Sequence, residues 1–134
     1  MTESLAILDS PGAIREHLWF VIGLAGAESN AVCFVVCDHR NVVLGHVHAV
    51  GPPGPDDVEC ARVVSTVAQP LSWAPGGAAV LLALTRPGPK TLIPSDRRWY
   101  RAVHEICARH EVRMLGVYVV TPRGHREVLL DDAL

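Results

Sequence analysis

The sequence predicts an α/β protein in which helices flank a single mixed β-sheet. Short apolar runs rich in valine and leucine alternate with segments whose apolar residues recur at helical spacing, and glycines and prolines separate them. This alternation is typical of helices packed on one sheet. The chain has 134 residues, of which 49% are hydrophobic and 19% charged, which excludes intrinsic disorder. We expect one domain over 1–134, with a short tail at 1–8.

The first half of the chain predicts a helix followed by a hairpin. Ser10 and Pro11 are typical of a helix start, because serine caps the first turn and proline fits the first helical position. The buried stripe of this helix comprises Ile14, His17, Leu18 and Val21. The run at 31–37 is apolar on both faces, as in a central strand. A polar turn at 38–41 leads to a second strand at 42–50.

The second half predicts two helices and three strands. After a loop at 51–57, Asp56 or Asp57 caps a helix that ends near Pro70. Ser95 caps the next helix. The remaining elements are a strand at 78–84, an irregular proline-rich loop at 86–94, a helix at 96–110, a strand at 114–120, a turn at 121–124 and a strand at 125–130. The order is α-β-β-α-β-α-β-β, and the crossovers make some neighbouring strands parallel.

Charge is distributed unevenly along the chain. The formal net charge is −2, but the stretch 86–126 carries nine basic and three acidic side chains. No uncharged apolar run reaches the length of a membrane span, and the N-terminus lacks the basic region of a secretory signal. We therefore expect a cytoplasmic protein that does not enter the membrane. Cys33, Cys37, Cys60 and Cys107 lie in apolar segments without CxxC spacing, so we expect buried thiols.

Several segments of the chain carry a family resemblance. They are SPGAIREHL, AVCFVVCDHRNVV, DDVECARVV, AAVLLAL, IPSD and VRMLGVYVVTPRGHREV. In this order they resemble the RadC-like branch of the JAB/MPN (JAMM) family, which has a cytidine-deaminase-like fold. The resemblance covers roughly residues 8–130 and implies a zinc-hydrolase scaffold. The pattern of that family is His-x-His-Pro, a loop and Pro-Ser-x-x-Asp, with an upstream glutamate that acts on zinc-bound water.

The residues that this pattern requires are replaced here. Leu84 and Arg86 occupy the two histidine positions, Arg98 occupies the aspartate position, and Asn30 occupies the glutamate position, with Glu28 two residues away. Leucine has no donor atom, and arginine stays protonated and repels a dication. The resemblance therefore implies a catalytically inactive domain with no metal or cofactor. Such a domain acts as a binding or scaffolding module, through a protein partner or self-association.

A second hypothesis is an anion- or nucleic-acid-binding module. Its residues are clustered in the basic stretch: Arg86, Lys90, Arg97, Arg98 and Arg101. Arginine beside a helix N-terminus favours phosphate or carboxylate. Asp96 and Glu105 are expected to neutralise part of this patch by pairing along the helix.

A third hypothesis is a hydrolase with relocated metal ligands. His46 and His48 share one face of a strand and could bind zinc if Cys60 or Asp57 came close. A further cluster, His104, Cys107 and His110, follows one helix, but its spacing favours a structural role. Trp19 and Trp73 are candidate partner contacts, and the alternative for Trp73 is that it folds back over the edge of the sheet.

Overall fold

The computed structural model describes residues 6–25, 30–49 and 55–133. Glu28, Val50 and residues 1–5 of the predicted tail at 1–8 lie outside the described residues. The elements are α1 (Pro11–Ala25), β1 (Ala31–Cys37), β2 (Val43–Ala49), α2 (Asp57–Leu71), β3 (Ala79–Thr85), α3 (Pro94–Arg109), β4 (Arg113–Thr121), β5 (Gly124–Val128) and α4 (Leu130–Ala133). The α/β class is confirmed.

The five strands form one mixed sheet in the order β2-β1-β3-β4-β5. β1 is antiparallel to both of its neighbours, β3 and β4 are parallel, and β5 returns antiparallel to β4. The parallel pair is joined through α3, as a crossover between parallel strands requires. Every residue of β3 is buried, because this central strand is covered on both faces.

Helices cover the two faces of the sheet in separate apolar clusters. α2 and α3 pack on one face, where Val64 and Val103 join Phe34 and Leu82 of the sheet. α1 packs on the other face, where its apolar residues meet a second set of sheet side chains that includes Val35, Leu81 and Val120. Of the helices in the described ranges, none is long and apolar enough to cross a membrane.

The start of α3 and the end of β5 each differ from the prediction by two residues, and several other boundaries differ by one. Ser95 does not cap α3; Ile93 is the N-cap residue, and the Asp96 carboxylate accepts the Ile93 N–H at 2.8 Å. The fifth strand ends at Val128 rather than at 130, because α4 begins at Leu130 and its Asp132 carboxylate accepts the N–H of the preceding Leu129. Asp56 caps α2 as predicted, accepting from the Glu59 N–H. α2 continues one residue past Pro70.

Candidate functional site

Three of the four positions identified through the family resemblance lie at one end of the sheet. Ala31 pairs with Thr85, so the start of β1 and the end of β3 lie side by side. Asn30 precedes β1 and is exposed, whereas Leu84 is 5% exposed and belongs to the core on the α3 side. Arg86 follows β3 directly and reaches the first turn of α3. The topology thus brings these residues to the end of the sheet where α3 begins.

Arg86 forms a buried bidentate ion pair with Asp96. Its Nη1 donates to Asp96 Oδ1 at 2.6 Å and its Nη2 to Asp96 Oδ2 at 2.9 Å. Nη2 also donates to the carbonyl of Thr91 at 2.7 Å. The side chain of Asp96 is 1% exposed and that of Arg86 is 13% exposed. Both charged groups are satisfied within the chain, so this carboxylate is already engaged and does not present an open ligand position.

Only some of the remaining basic side chains are free to bind an anion at the surface. Arg98 donates to the carbonyl of Pro55 at 3.3 Å. Arg101 donates to Asp57 Oδ1 at 3.3 Å and to the carbonyl of Ala133 at 3.2 Å. These two arginines fasten α3 to the start of α2 and to α4. Lys90 and Arg97 are exposed. The anion-binding hypothesis therefore depends on these two residues more than on the three internally bonded arginines.

Lys90 lies close to the start of β5, a proximity that the sequence did not predict. A Cβ atom built on Gly124 would lie 3.6 Å from Lys90 Nζ. Burial lowers the pKa of the neighbouring His125, and the positive charges of Lys90 and Arg15 lower it further. Cationic groups from α1 and from the loop after β3 thus converge beside β5.

His46 and His48 face α1 rather than α2. They pair with Val35 and Cys33 of β1, whose side chains belong to the α1 cluster. The suggested third ligands, Cys60 and Asp57, are wrong because α2 covers the opposite face of the sheet. Instead, His46 Nε2 lies 2.8 Å from Nε2 of His17, and the two rings stack with centroids 5.0 Å apart. Within the described ranges, no group of three or more His, Cys, Asp or Glu side chains is placed to hold a metal ion.

The His17–His46 contact lies at a cavity of about 480 Å³ between α1 and β2. The lining residues are Ala6, Ile7, Ala13, Glu16, His17, Phe20, Val43 and His46. Burial lowers the pKa of both histidines, and the proximity of His46 lowers that of His17 further. Sequence reasoning placed His17 only in a buried stripe, because its partner is 29 residues away and on another element.

The histidine–cysteine cluster of α3 does not converge on one point. Cys107 is buried in the core, whereas His104 is exposed and stacks on Tyr100 with centroids 6.0 Å apart. His110 is the C-cap residue of α3. These positions match the structural role that the spacing favours.

Exposed aromatic side chains are present at two places. Trp19 of α1 is 53% exposed, as is its neighbour Phe20, and Trp73, which follows α2, is 75% exposed. Indole rings that remain this exposed are common anchors of interfaces. Their exposure agrees with the sequence-based expectation.

The described residues offer no activated thiol. All four cysteines are buried and free, and burial raises the pKa of each thiol to about 11. At neutral pH these groups are protonated and therefore weak nucleophiles.

Comparisons with protein-family models, with curated proteins and with solved structures find no match for this chain.

Proposed function

We propose that this chain is a RadC-like JAB/MPN domain that has lost its metal centre and works as a non-catalytic binding module. The observation that carries the proposal is the Arg86–Asp96 ion pair at the place where the resemblance expects a metal. Leu84 and Asn30, which flank that place, supply neither an imidazole nor a carboxylate. The proposed partner is a protein, either another chain or a second copy.

The ion pair supports this proposal through its geometry. A guanidinium with two hydrogen bonds to one carboxylate is held rigidly, and it would repel a divalent cation brought to the same place. The pair joins the end of β3 to the first turn of α3 across the irregular loop at 86–93. It therefore fixes the local shape without leaving the open coordination position that a catalytic zinc site requires.

Metal analysis of the purified protein tests this proposal. We expect far less than one equivalent of zinc, and no hydrolase activity that responds to added zinc. Asp96→Asn serves as the locating variant, because Asp96 is the buried carboxylate at this end of α3. Stoichiometric zinc that is retained by the wild type and by His17→Asn, but lost in Asp96→Asn, would overturn the proposal.

Self-association is measured on the same sample. Sedimentation at several concentrations gives the oligomeric state of the wild type and of Trp19→Ala and Trp73→Ala. A dimer that weakens in one of these variants assigns the partner to a second copy. A monomer at all concentrations assigns it to a different chain.

A nucleic-acid function is the second candidate, and the exposure of Lys90 and Arg97 favours it. Arg86→Glu is unsuitable for a binding test, because it would place a carboxylate against Asp96 in a buried pair. Lys90→Glu with Arg97→Glu is the better variant. If the candidate is right, the wild type binds a fluorescent oligonucleotide at low salt and the double variant loses that binding. Equal binding by both proteins, or none by either, would exclude it.

A further inference from the structure

The cavity between α1 and β2 has the size of a site for a small ligand. Its volume of about 480 Å³ lies within the range of small-molecule pockets, about 300–1,000 Å³. Three parts of the chain form its walls: the residues before α1, one face of α1 and the beginning of β2. Most lining side chains are apolar, so the few polar ones decide which ligand chemistry fits.

Glu16 determines the charge of this cavity. Of the described lining residues, it alone carries a formal charge at neutral pH. The Nε2 atoms of His17 and His46 lie 2.8 Å apart, and burial lowers the pKa of both, which disfavours a positive charge on either ring. His48 stacks on His46 from the same strand and adds no negative charge. The described part of the lining therefore contributes negative charge and disfavours a carboxylate or phosphate ligand.

An aromatic wall stands beside this carboxylate. The Phe20 ring centroid lies 5.3 Å from that of His17 and 5.5 Å from that of His46, and about half of Phe20 remains exposed. Phe20 follows Glu16 by four residues on α1, so both side chains lie on the same side of the helix. An aromatic face next to a carboxylate attracts an organic cation through its ring electrons and through the negative charge.

We propose that this cavity binds an organic ammonium group attached to an apolar body. Glu16 pairs with the ammonium, Phe20 packs against it, and Ala13 and Val43 enclose the apolar part. The inference goes beyond the proposed function, because it assigns a ligand chemistry to a cavity that the metal analysis does not test. The ammonium belongs either to a free amine or to a lysine side chain of a partner protein.

Nuclear magnetic resonance titrations of the full chain test this proposal with three probes of the same shape. Benzylammonium, benzyl alcohol and benzoate differ mainly in charge. We expect saturable shifts at α1 and β2 with benzylammonium at a Kd on the order of 1 mM, weaker shifts with the alcohol and none with benzoate. Nα-acetyl-lysine amide distinguishes the sources, since its binding in the same cavity assigns the ammonium to a protein lysine and its failure assigns it to a free amine.

Two variants and a matched control locate the site. Glu16→Gln keeps the shape but removes the charge, and we expect benzylammonium to bind at least fivefold more weakly. Phe20→Leu keeps an apolar side chain but removes the ring, and we expect a smaller loss. Glu105 is an exposed glutamate on α3, so the control variant Glu105→Gln should leave the affinity for benzylammonium unchanged.

The outcomes separate this inference from the proposed function. Benzoate binding as well as benzylammonium, no saturable shift with any probe, or unchanged affinity in Glu16→Gln would each overturn the cavity assignment and leave the metal analysis unaffected. Stoichiometric zinc dependent on Asp96 would overturn the proposed function without changing the ammonium titration.

Discussion

Replacing Arg86 by leucine is expected to destabilise the protein more than replacing any exposed arginine. The substitution leaves the Asp96 carboxylate, which is 1% exposed, without its cation. Removing one member of a buried ion pair costs about 3–5 kcal/mol, because an uncompensated charge stays in a low-dielectric environment. Since Arg86 is 13% exposed and water can reach part of the site, we expect a value near the lower end, about 3 kcal/mol.

Asp96→Asn is expected to lower the free energy of unfolding by less than Arg86→Leu does. Asparagine retains an oxygen that can accept the Ile93 N–H, which Asp96 now accepts at 2.8 Å, so the helix start keeps one of its hydrogen bonds. The Arg86 guanidinium also keeps its bond to the carbonyl of Thr91 at 2.7 Å. We expect a loss of about 1–3 kcal/mol, the usual penalty for a buried polar group that loses part of its bonding.

Urea unfolding of the two single variants and the double variant measures the coupling. We expect the double variant to lose clearly less than the sum of the single losses, with a coupling of about 0.5–3 kcal/mol. Circular dichroism reports the helices, and the buried Trp99 of α3 provides a fluorescence signal near the site. A domain of this size has a total stability of about 5–15 kcal/mol, so the single variants should remain folded enough to measure.

An exposed ion pair on the same helix is the matched control. Glu105 and Arg109 lie one turn apart at 3.1 Å, and their side chains are 70% and 61% exposed. Arg109→Leu should therefore cost about 0.5 kcal/mol or less. The reasoning is refuted if Arg86→Leu costs no more than Arg109→Leu, or if the losses in the double variant simply add.

Three further predictions follow from other parts of the structure. Because the pKa values of His17 and His46 are lowered on folding, the unfolded chain binds more protons below their ordinary value of 6.5. The urea concentration at the unfolding midpoint should therefore decrease as the pH is lowered from about 7 to 5, and it should decrease less steeply in His46→Asn. An equal dependence on pH in the two proteins would contradict this. A thiol reagent should react slowly with the native protein and should label all four cysteines once the protein is unfolded. A thiol that reacts rapidly in the native protein would contradict the burial of these side chains. Gly116 has φ +146°, and an added Cβ would lie 2.9 Å from Tyr118 Cε2, so Gly116→Ala should cost about 1–3 kcal/mol in urea unfolding, whereas Gly45→Ala, with open space, should not.

The fold class could be predicted because each core strand is recognisable from its own run of apolar residues. β3 is apolar at nearly every position, and a run of this kind is buried wherever it lies in a sheet. The short α4 could not be predicted in this way. Leu129 and Leu130 directly follow Val128, the apolar last residue of β5, and the helix depends on a hydrogen bond from the Leu129 N–H to Asp132. A pattern of apolar residues does not contain that bond.

The site was harder to predict, because its contacts join distant parts of the chain. Arg86 and Asp96 are separated by ten residues and an irregular loop, so helical spacing rules do not apply to them. The sequence indicated Arg86 as an anion ligand, yet the anion that it binds is a side chain of the same protein. His17 and His46 meet only because α1 covers the face of the sheet toward which His46 of the edge strand β2 points.

The two features that we assign to function act on different faces of the sheet. The ion pair fixes the start of α3, which packs with α2 on one face, whereas the cavity lies between α1 and β2 on the other. A change in the ion pair reaches the cavity only through the strands, and these are buried and hydrogen-bonded on both sides. We therefore expect Asp96→Asn to lower stability without changing the affinity for benzylammonium. Loss of both together would show that the shape of the cavity depends on the position of α3 and would refute this separation.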